Sequence, residues 1–138
     1  MSMAAVFEKL GKRVMPKIAL KAFPDVMQIE KATVAAGSGG GQIKSGTTVD
    51  WADVPCSYEP ISRNDRRYVV GEQLTPSEQY VMTFPVYMAD ETTRINFDSK
   101  IHRFRVDERN GEPEKVFRVV GLRDFSGVVF ETVCVIEN

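Results

Sequence analysis

Apolar residues fall into two different rhythms along this chain, and the change from one to the other divides it. Met3, Phe7, Leu10 and Val14 recur at spacings of four, three and four, which puts them on one face of a 3.6-residue period. The spacing predicts a short amphipathic helix over 3–15, with Ser2 in position to cap its start. Pro16 lacks an N–H and its ring crowds the preceding turn, so the helix is expected to break there. Residues 17–22 then resume as a turn of helix, which Pro24 stops.

Beyond Pro24 the period becomes that of strands. From Asp25 to Val34, Met27 and Ile29 alternate with Gln28 and Glu30, a first strand. The run Ala35-Ala36-Gly37-Ser38-Gly39-Gly40-Gly41, with its continuation to about Asp50, reads as a long loop, and such loops are either functional or disordered. A second strand over Val54–Pro60 puts Val54, Cys56 and Tyr58 on one face, and the charged stretch 62–78 reads as a second long exposed segment. The third strand, Gln79 to Ala89, sets Tyr80, Met82, Phe84, Val86 and Met88 against Val81, Thr83, Pro85 and Tyr87. Pro85 removes a ladder donor, so this strand is expected at an edge or a bulge. In the fourth, Lys100 to Glu108, Arg103 and Arg105 oppose His102, Phe104 and Val106. Asn110-Gly111 favours a turn into the fifth, Val116–Arg123, and Ser126-Gly127 turns into the sixth, Val128–Glu137. The expected fold is mainly β: a small antiparallel β-barrel or sandwich of about six strands, with a short N-terminal helix and two long loops. The chain divides into a basic amphipathic arm, 1–23, and a β domain, 24–138.

Composition adds one contrast. The 138 residues suit one domain, with 43% hydrophobic and 27% charged residues. Residues 1–22 carry +4, which leaves −5 for the remainder because the whole chain carries −1. A basic arm on an acidic body is a feature of charge patterning, although a solvated helix face explains the same lysines. The two cysteines, Cys56 and Cys134, lie in apolar strand-like stretches without a disulfide framework. No apolar run reaches the length of a membrane span, and the N-terminal stretch lacks the apolar core of a signal peptide. The expected setting is a cytoplasm, without membrane contact.

Candidate chemistry is sparse. His102 is the only histidine, whereas metal sites want several His, Cys or carboxylate ligands. A pairing of His102 with Cys56 or Cys134 has no local support. The acidic pairs Asp90-Glu91 and Asp107-Glu108 lie at loop or strand ends; adjacent strand residues point to opposite faces, so such pairs do not converge on one substrate and read as solvated edges. The glycine run is followed by Lys44-Ser45-Gly46 but then by β-branched Thr47-Thr48-Val49, where a phosphate-binding loop needs a helix. Arg103, Phe104 and Arg105, with Phe117 and Arg118, loosely fit a single-strand nucleic-acid surface, although alternation places Phe104 opposite its arginines. No catalytic, metal or cofactor-binding residue is assigned, no cofactor is expected, and the reading is of a protein that is not an enzyme.

The order of features resembles a family, the head-closure or head-tail joining proteins of tailed phages, also called stoppers or head-completion proteins. The resemblance rests on the opening strand Asp25-Val26-Met27-Gln28-Ile29 and on the glycine-rich loop ending in Trp51-Ala52-Asp53-Val54-Pro55-Cys56-Ser57-Tyr58-Glu59-Pro60. It continues through Tyr80-Val81-Met82-Thr83-Phe84-Pro85, Ile101 to Val106, Val116 to Gly121 and the closing Val133-Cys134-Val135-Ile136-Glu137. It covers about residues 24–138 as a pattern of strands and loops; the arm is longer and more basic than the pattern has it.

The resemblance implies a small β-barrel without catalytic activity in the virion neck, assembled in the host cytoplasm. It would join the portal-side connector to the tail and help close the DNA channel. Implied partners are the portal or adaptor ring, tail or tail-terminator proteins, and neighbouring copies in a ring. DNA would pass through without sequence-specific binding, and a mildly negative lumen would let it slide, because lysine-rich walls hold phosphates through counterion release. Expected assembly contacts are Phe7, Leu10, Val14, Trp51, Arg63, Arg66 and Arg67. The alternatives are a tail-end, terminator-like component or a small nucleic-acid-binding β-barrel, with a small hydrolase as a distant third.

Overall fold

The computed structural model describes residues 2–36, 42–61, 79–109 and 111–137. The chain opens with helix α1 (Met3–Lys9), capped by Ser2, whose hydroxyl accepts a bond from the Ala5 N–H at 3.2 Å. Helical structure does not break at Pro16. It passes through a π turn, Leu10–Val14, into α2 (Met15–Ala22). The Met15 N–H reaches back to the Leu10 carbonyl, and Pro16 falls at the very start of α2. There the missing N–H is least costly, and the wide π turn makes room for the ring. Phe23 N–H closes the last turn on Ala19 O at 3.0 Å, and Pro24 ends the helix.

The expectation of a barrel or sandwich resolves as a closed barrel. Its strands are β1 (Asp25–Ala36), β2 (Gln42–Pro60), β3 (Gln79–Pro85), β4 (His102–Val106), β5 (Lys115–Phe125) and β6 (Val129–Ile136). Their order is β1-β2-β3-β6-β5-β4, with β4 returning to β1 and every pairing antiparallel. The long loop expected to run on to Asp50 is a correction. Residues 42–50 are the first half of β2 and pair with β1, from Ala36↔Gln42 to Glu30↔Val49. Thr47, Thr48 and Val49 are β-branched residues that favour a strand once a partner lies alongside. Residues 37–41, and the second expected segment at 62–78, lie outside the described residues.

Closure also corrects the placing of Pro85, since a closed barrel has no edge strand. Pro85 instead ends β3, beyond the β2 ladder, whose last partner on β3 is Thr83. The fourth strand is shorter than expected because residues 98–101 form a turn, in which the Ile101 and His102 N–H groups both donate to Asp98 O. The fifth is longer and carries two register shifts, at Val119/Gly121 and Leu122/Asp124.

Inward alternation fills the barrel with Phe84, Phe104, Phe117, Met27, Ile29 and Met82, all fully buried. Each such side chain contributes about 1.5–3 kcal/mol through burial. The connection from Val86 to Ile101 caps one end: Val86 and Ile95 are buried, and Phe97 meets Phe104 and Phe130 at ring separations of 5.4 and 5.1 Å. A second, smaller cluster of Ile61, Val81 and Val133, with Val120 against it, covers the outer faces of β3 and β6, where Val81 and Val133 oppose each other.

Candidate functional site

The helical arm meets the barrel through its smallest residues. Gly11, Pro16 and Ala19 are buried. A Cβ on Gly11 would lie 2.1 Å from the Gly127 carbonyl oxygen, so only glycine allows this approach. Gly127 itself has φ +84, in the turn between β5 and β6. Beside this seat Lys17 pairs with Glu91 at 3.2 Å, and the Lys12 ammonium stands 5.6 Å from the centre of the Tyr87 ring.

Because the seat uses small residues, the large apolar ones stay in solvent. Phe7 is 41% exposed, Leu10 and Val14 37% each, and Met3 and Ile18 are more exposed still. Three of the expected contact residues, Phe7, Leu10 and Val14, thus share an open stripe. Ile18 extends it, and was missed because the helix was expected to break at Pro16, between Val14 and Ile18. Lys9, Arg13, Lys17 and Lys21 recur every four residues and form a basic row along the same helix. Trp51 lies apart from this stripe, half-buried against the core, with its ring 5.2 Å from that of His102. Arg63, Arg66 and Arg67 lie outside the described residues.

A second open feature is a cleft of about 680 Å³ between residues 94–99 and β5. Its apolar wall includes Phe97, Leu122 and Phe125, and Leu122 is 57% and Phe125 43% exposed. Phe125 stacks on Phe130 at 4.9 Å, with the Arg94 guanidinium 5.3 Å from its ring centre. The charged residues of its lining are Arg94 and Asp98, one of each sign, and Asp98 Oδ1 accepts the Lys100 N–H at 2.9 Å. Sequence reasoning missed this cleft, whose walls come from segments far apart in the chain.

The remaining polar groups are engaged in the fold. His102 is buried; its Nδ1 accepts the Asp98 N–H at 2.8 Å, which leaves Nε2 protonated to donate to Asp50 Oδ2 at 2.7 Å. That bond holds the Asp50 carboxyl below its ordinary range, helped by Lys31 at 3.6 Å. Both ring nitrogens therefore have protein partners. Burial pushes the Cys56 thiol up, and the Cys134 thiol up to about 12, so neither is a thiolate near neutrality. Among the described residues no group of three or more His, Cys, Asp or Glu side chains is placed to hold a metal ion.

The arginine and aromatic residues of β4 and β5 do not form a stacking surface. Phe104 and Phe117 are fully buried in the core. Arg103 bonds Glu137 at 2.8 Å, Arg105 bonds Glu30 at 3.1 Å and Glu114 at 3.2 Å, and Arg118 lies 3.6 Å from Glu137. No helix among the described residues is long and apolar enough to cross a membrane. No protein-family model matches the chain, and no curated protein matches it either.

Proposed function

We propose that this protein is a structural component of a tailed-phage neck, joining the portal-side connector of the head to the tail and helping to close the DNA channel. The observation that carries the reading is the N-terminal helix, held on the barrel by Gly11, Pro16 and Ala19 while Met3, Phe7, Leu10, Val14 and Ile18 face solvent. Contiguous exposed apolar surface marks a place for a partner. The neck reading itself comes from the order of strands and loops along residues 24–138, which resembles the head-closure proteins. The partners in this reading are neighbouring copies in a ring, the portal or adaptor ring on one side and tail or tail-terminator proteins on the other. Its place is the virion.

The engagement of Arg103, Arg105 and Arg118 by carboxylates tells against the β4–β5 face as a nucleic-acid surface, because free cations are what phosphates would recruit there. The test is complementation. Phage particles lacking the protein are incubated with the purified chain and imaged. The expected result is DNA-filled heads that retain their genome and accept tails, with the chain in the neck. Particles that are complete without it, or duplex binding that falls steeply with salt, would overturn the reading.

A further inference from the structure

We propose that the cleft between residues 94–99 and β5 is a slot for one extended peptide segment of a partner protein, which adds to the open part of β5 as a strand. The barrel closes between β4 and β5 through three residue pairs only, Phe104↔Phe117, Arg105↔Val116 and Val106↔Lys115. β5 runs on to Phe125, paired throughout with β6, but on its other side no strand accompanies it past Phe117 among the described residues. A longer β4 would have been that neighbour. β4 begins only at His102, because the Ile101 and His102 N–H groups both donate to Asp98 O and fold residues 98–101 into a turn. The place of the missing strand is the cleft of about 680 Å³, and Val119, Val120, Gly121, Leu122 and Phe125 form its β5 wall.

The open edge decides what fits there. A strand without a neighbour presents backbone N–H and C=O groups at alternate residues, and a second extended backbone matches them in kind and in spacing. A helix cannot take the place, because its backbone groups are already bonded along its own axis. A nucleic acid would need cations, and the single cation among the described lining residues, Arg94, stands 5.3 Å from the centre of the Phe125 ring. The opposite wall is prepared in the same way. It is held at Ile95, whose N–H donates to Val86 O at 2.8 Å, and at Asp98, whose N–H donates to His102 Nδ1 at 2.8 Å. Between these, the Asn96 and Phe97 N–H groups make no hydrogen bond among the described residues.

The lining also sets the kind of segment. At about 3.3 Å per residue, the open stretch of β5 over residues 119–125 is about 23 Å long, room for about seven residues. Arg94 and Asp98 bring one charge of each sign, so the slot selects no net charge. Phe97, Leu122 and Phe125 make it apolar, and Leu122 and Phe125 are exposed. The segment is therefore uncharged, with apolar side chains at alternate positions to cover them, while its backbone supplies the affinity. This contact does not depend on the neck reading and is testable in the purified chain.

The probe is a peptide of alternating valine and threonine, with a lysine at each end for solubility, titrated into the full chain and followed by amide NMR. Saturable shifts are expected at Asn96, Phe97 and residues 119–125, with slower hydrogen exchange along the same stretch. Two further peptides carry N-methyl groups on all valines or on all threonines, which removes the donors of one backbone edge. At least one of them should bind about tenfold more weakly, the equivalent of about 1.4 kcal/mol. Leu122→Lys, at an exposed position that the fold does not need, should weaken the unmodified peptide to a similar degree. Equal binding by all three peptides would mean that the cleft takes apolar side chains without strand pairing, and would overturn the proposal. So would no shifts up to millimolar peptide, or shifts confined to the helix. If the same amides shift with protein concentration alone, a second copy fills the slot and the proposal falls.

Discussion

Gly11 and Gly127 meet backbone against backbone, so closely that a Cβ on Gly11 would lie 2.1 Å from the Gly127 carbonyl oxygen. This single approach decides how the arm is displayed. A larger residue at 11 would lift the helix off the β5–β6 turn. Glycine lets it lie flat, so that it can be held by Pro16 and Ala19 without spending its large apolar side chains on its own barrel. The open stripe is thus a consequence of a tight seat made from small residues.

Gly11→Ala should therefore separate two effects of opposite sign. In a free helix alanine is favoured over glycine by about 1 kcal/mol. On the barrel the added methyl meets backbone that cannot turn aside, and such overpacking costs about 1–3 kcal/mol. The expected outcome is a barrel of nearly unchanged Tm whose residues 2–22 are cut early by protease. Unchanged protection of the arm would mean that the close approach does not hold it.

His102→Ala should destabilise the fold by about 1–3 kcal/mol, because it leaves the Asp98 N–H without its acceptor in a part-buried turn. It also removes the bond that chiefly lowers the Asp50 carboxyl. The Asp50 titration, followed by NMR, should move up toward its ordinary value of 3.8. In the unaltered chain the Asp50–His102 pair adds stability above that value, and this is lost as pH falls through the lowered folded-state value. A variant of full stability with an unmoved Asp50 would contradict the bonding described.

The strands were legible wherever their own residues alternate, as in Met82, Phe84 and Val86 or in His102, Phe104 and Val106, because inward and outward positions differ in polarity. Legibility failed where a partner decides. Residues 42–50 read as loop from Lys44, Ser45 and Gly46, and are strand because β1 extends to Ala36 beside them. The passage of the helix through Pro16 depends on a π turn, which no spacing announces, and it hid the continuation of the apolar stripe to Ile18. The cleft was illegible because Phe97 and Leu122 come together only through the β3–β4 connection and the β5 register.

Asp90 supplies a test in acid. Its carboxyl is pushed down to about 2 by the hydrogen bond from the Thr93 hydroxyl, then by the Thr93 and Thr92 N–H groups. These bonds close the turn that begins the cap over the barrel end. A depressed carboxyl stabilises above its unfolded value and loses that contribution as pH falls through the folded one. The turn should hold through pH 3, and an Asp90 NMR titration should show its midpoint near 2. In Asp90→Ala, the Thr92 and Thr93 amides should exchange faster at every pH. A midpoint near 4, the usual carboxylate range, would mean that the turn is open in solution.

Removing residues 1–22 should leave a folded barrel that does not assemble. Among the largest fully buried side chains, Phe84, Phe104, Phe117, Met27, Ile29 and Met82 all belong to strands, and the helix contributes only Ala19 to the buried apolar set. The loss of stability should accordingly be modest, and the strand signature in circular dichroism should persist. The truncation also removes the +4 arm and leaves a body of −5, so copies of the body alone repel one another more strongly. Light scattering should report a monomer for both forms at low concentration, because one exposed helix face is well below the area of a stable interface. Only the full chain should enter particles when a neck ring is present to align its copies. A stable ring formed by the full chain alone would show that assembly needs no template. A truncated chain that completes particles normally would show that the arm is not the assembly element.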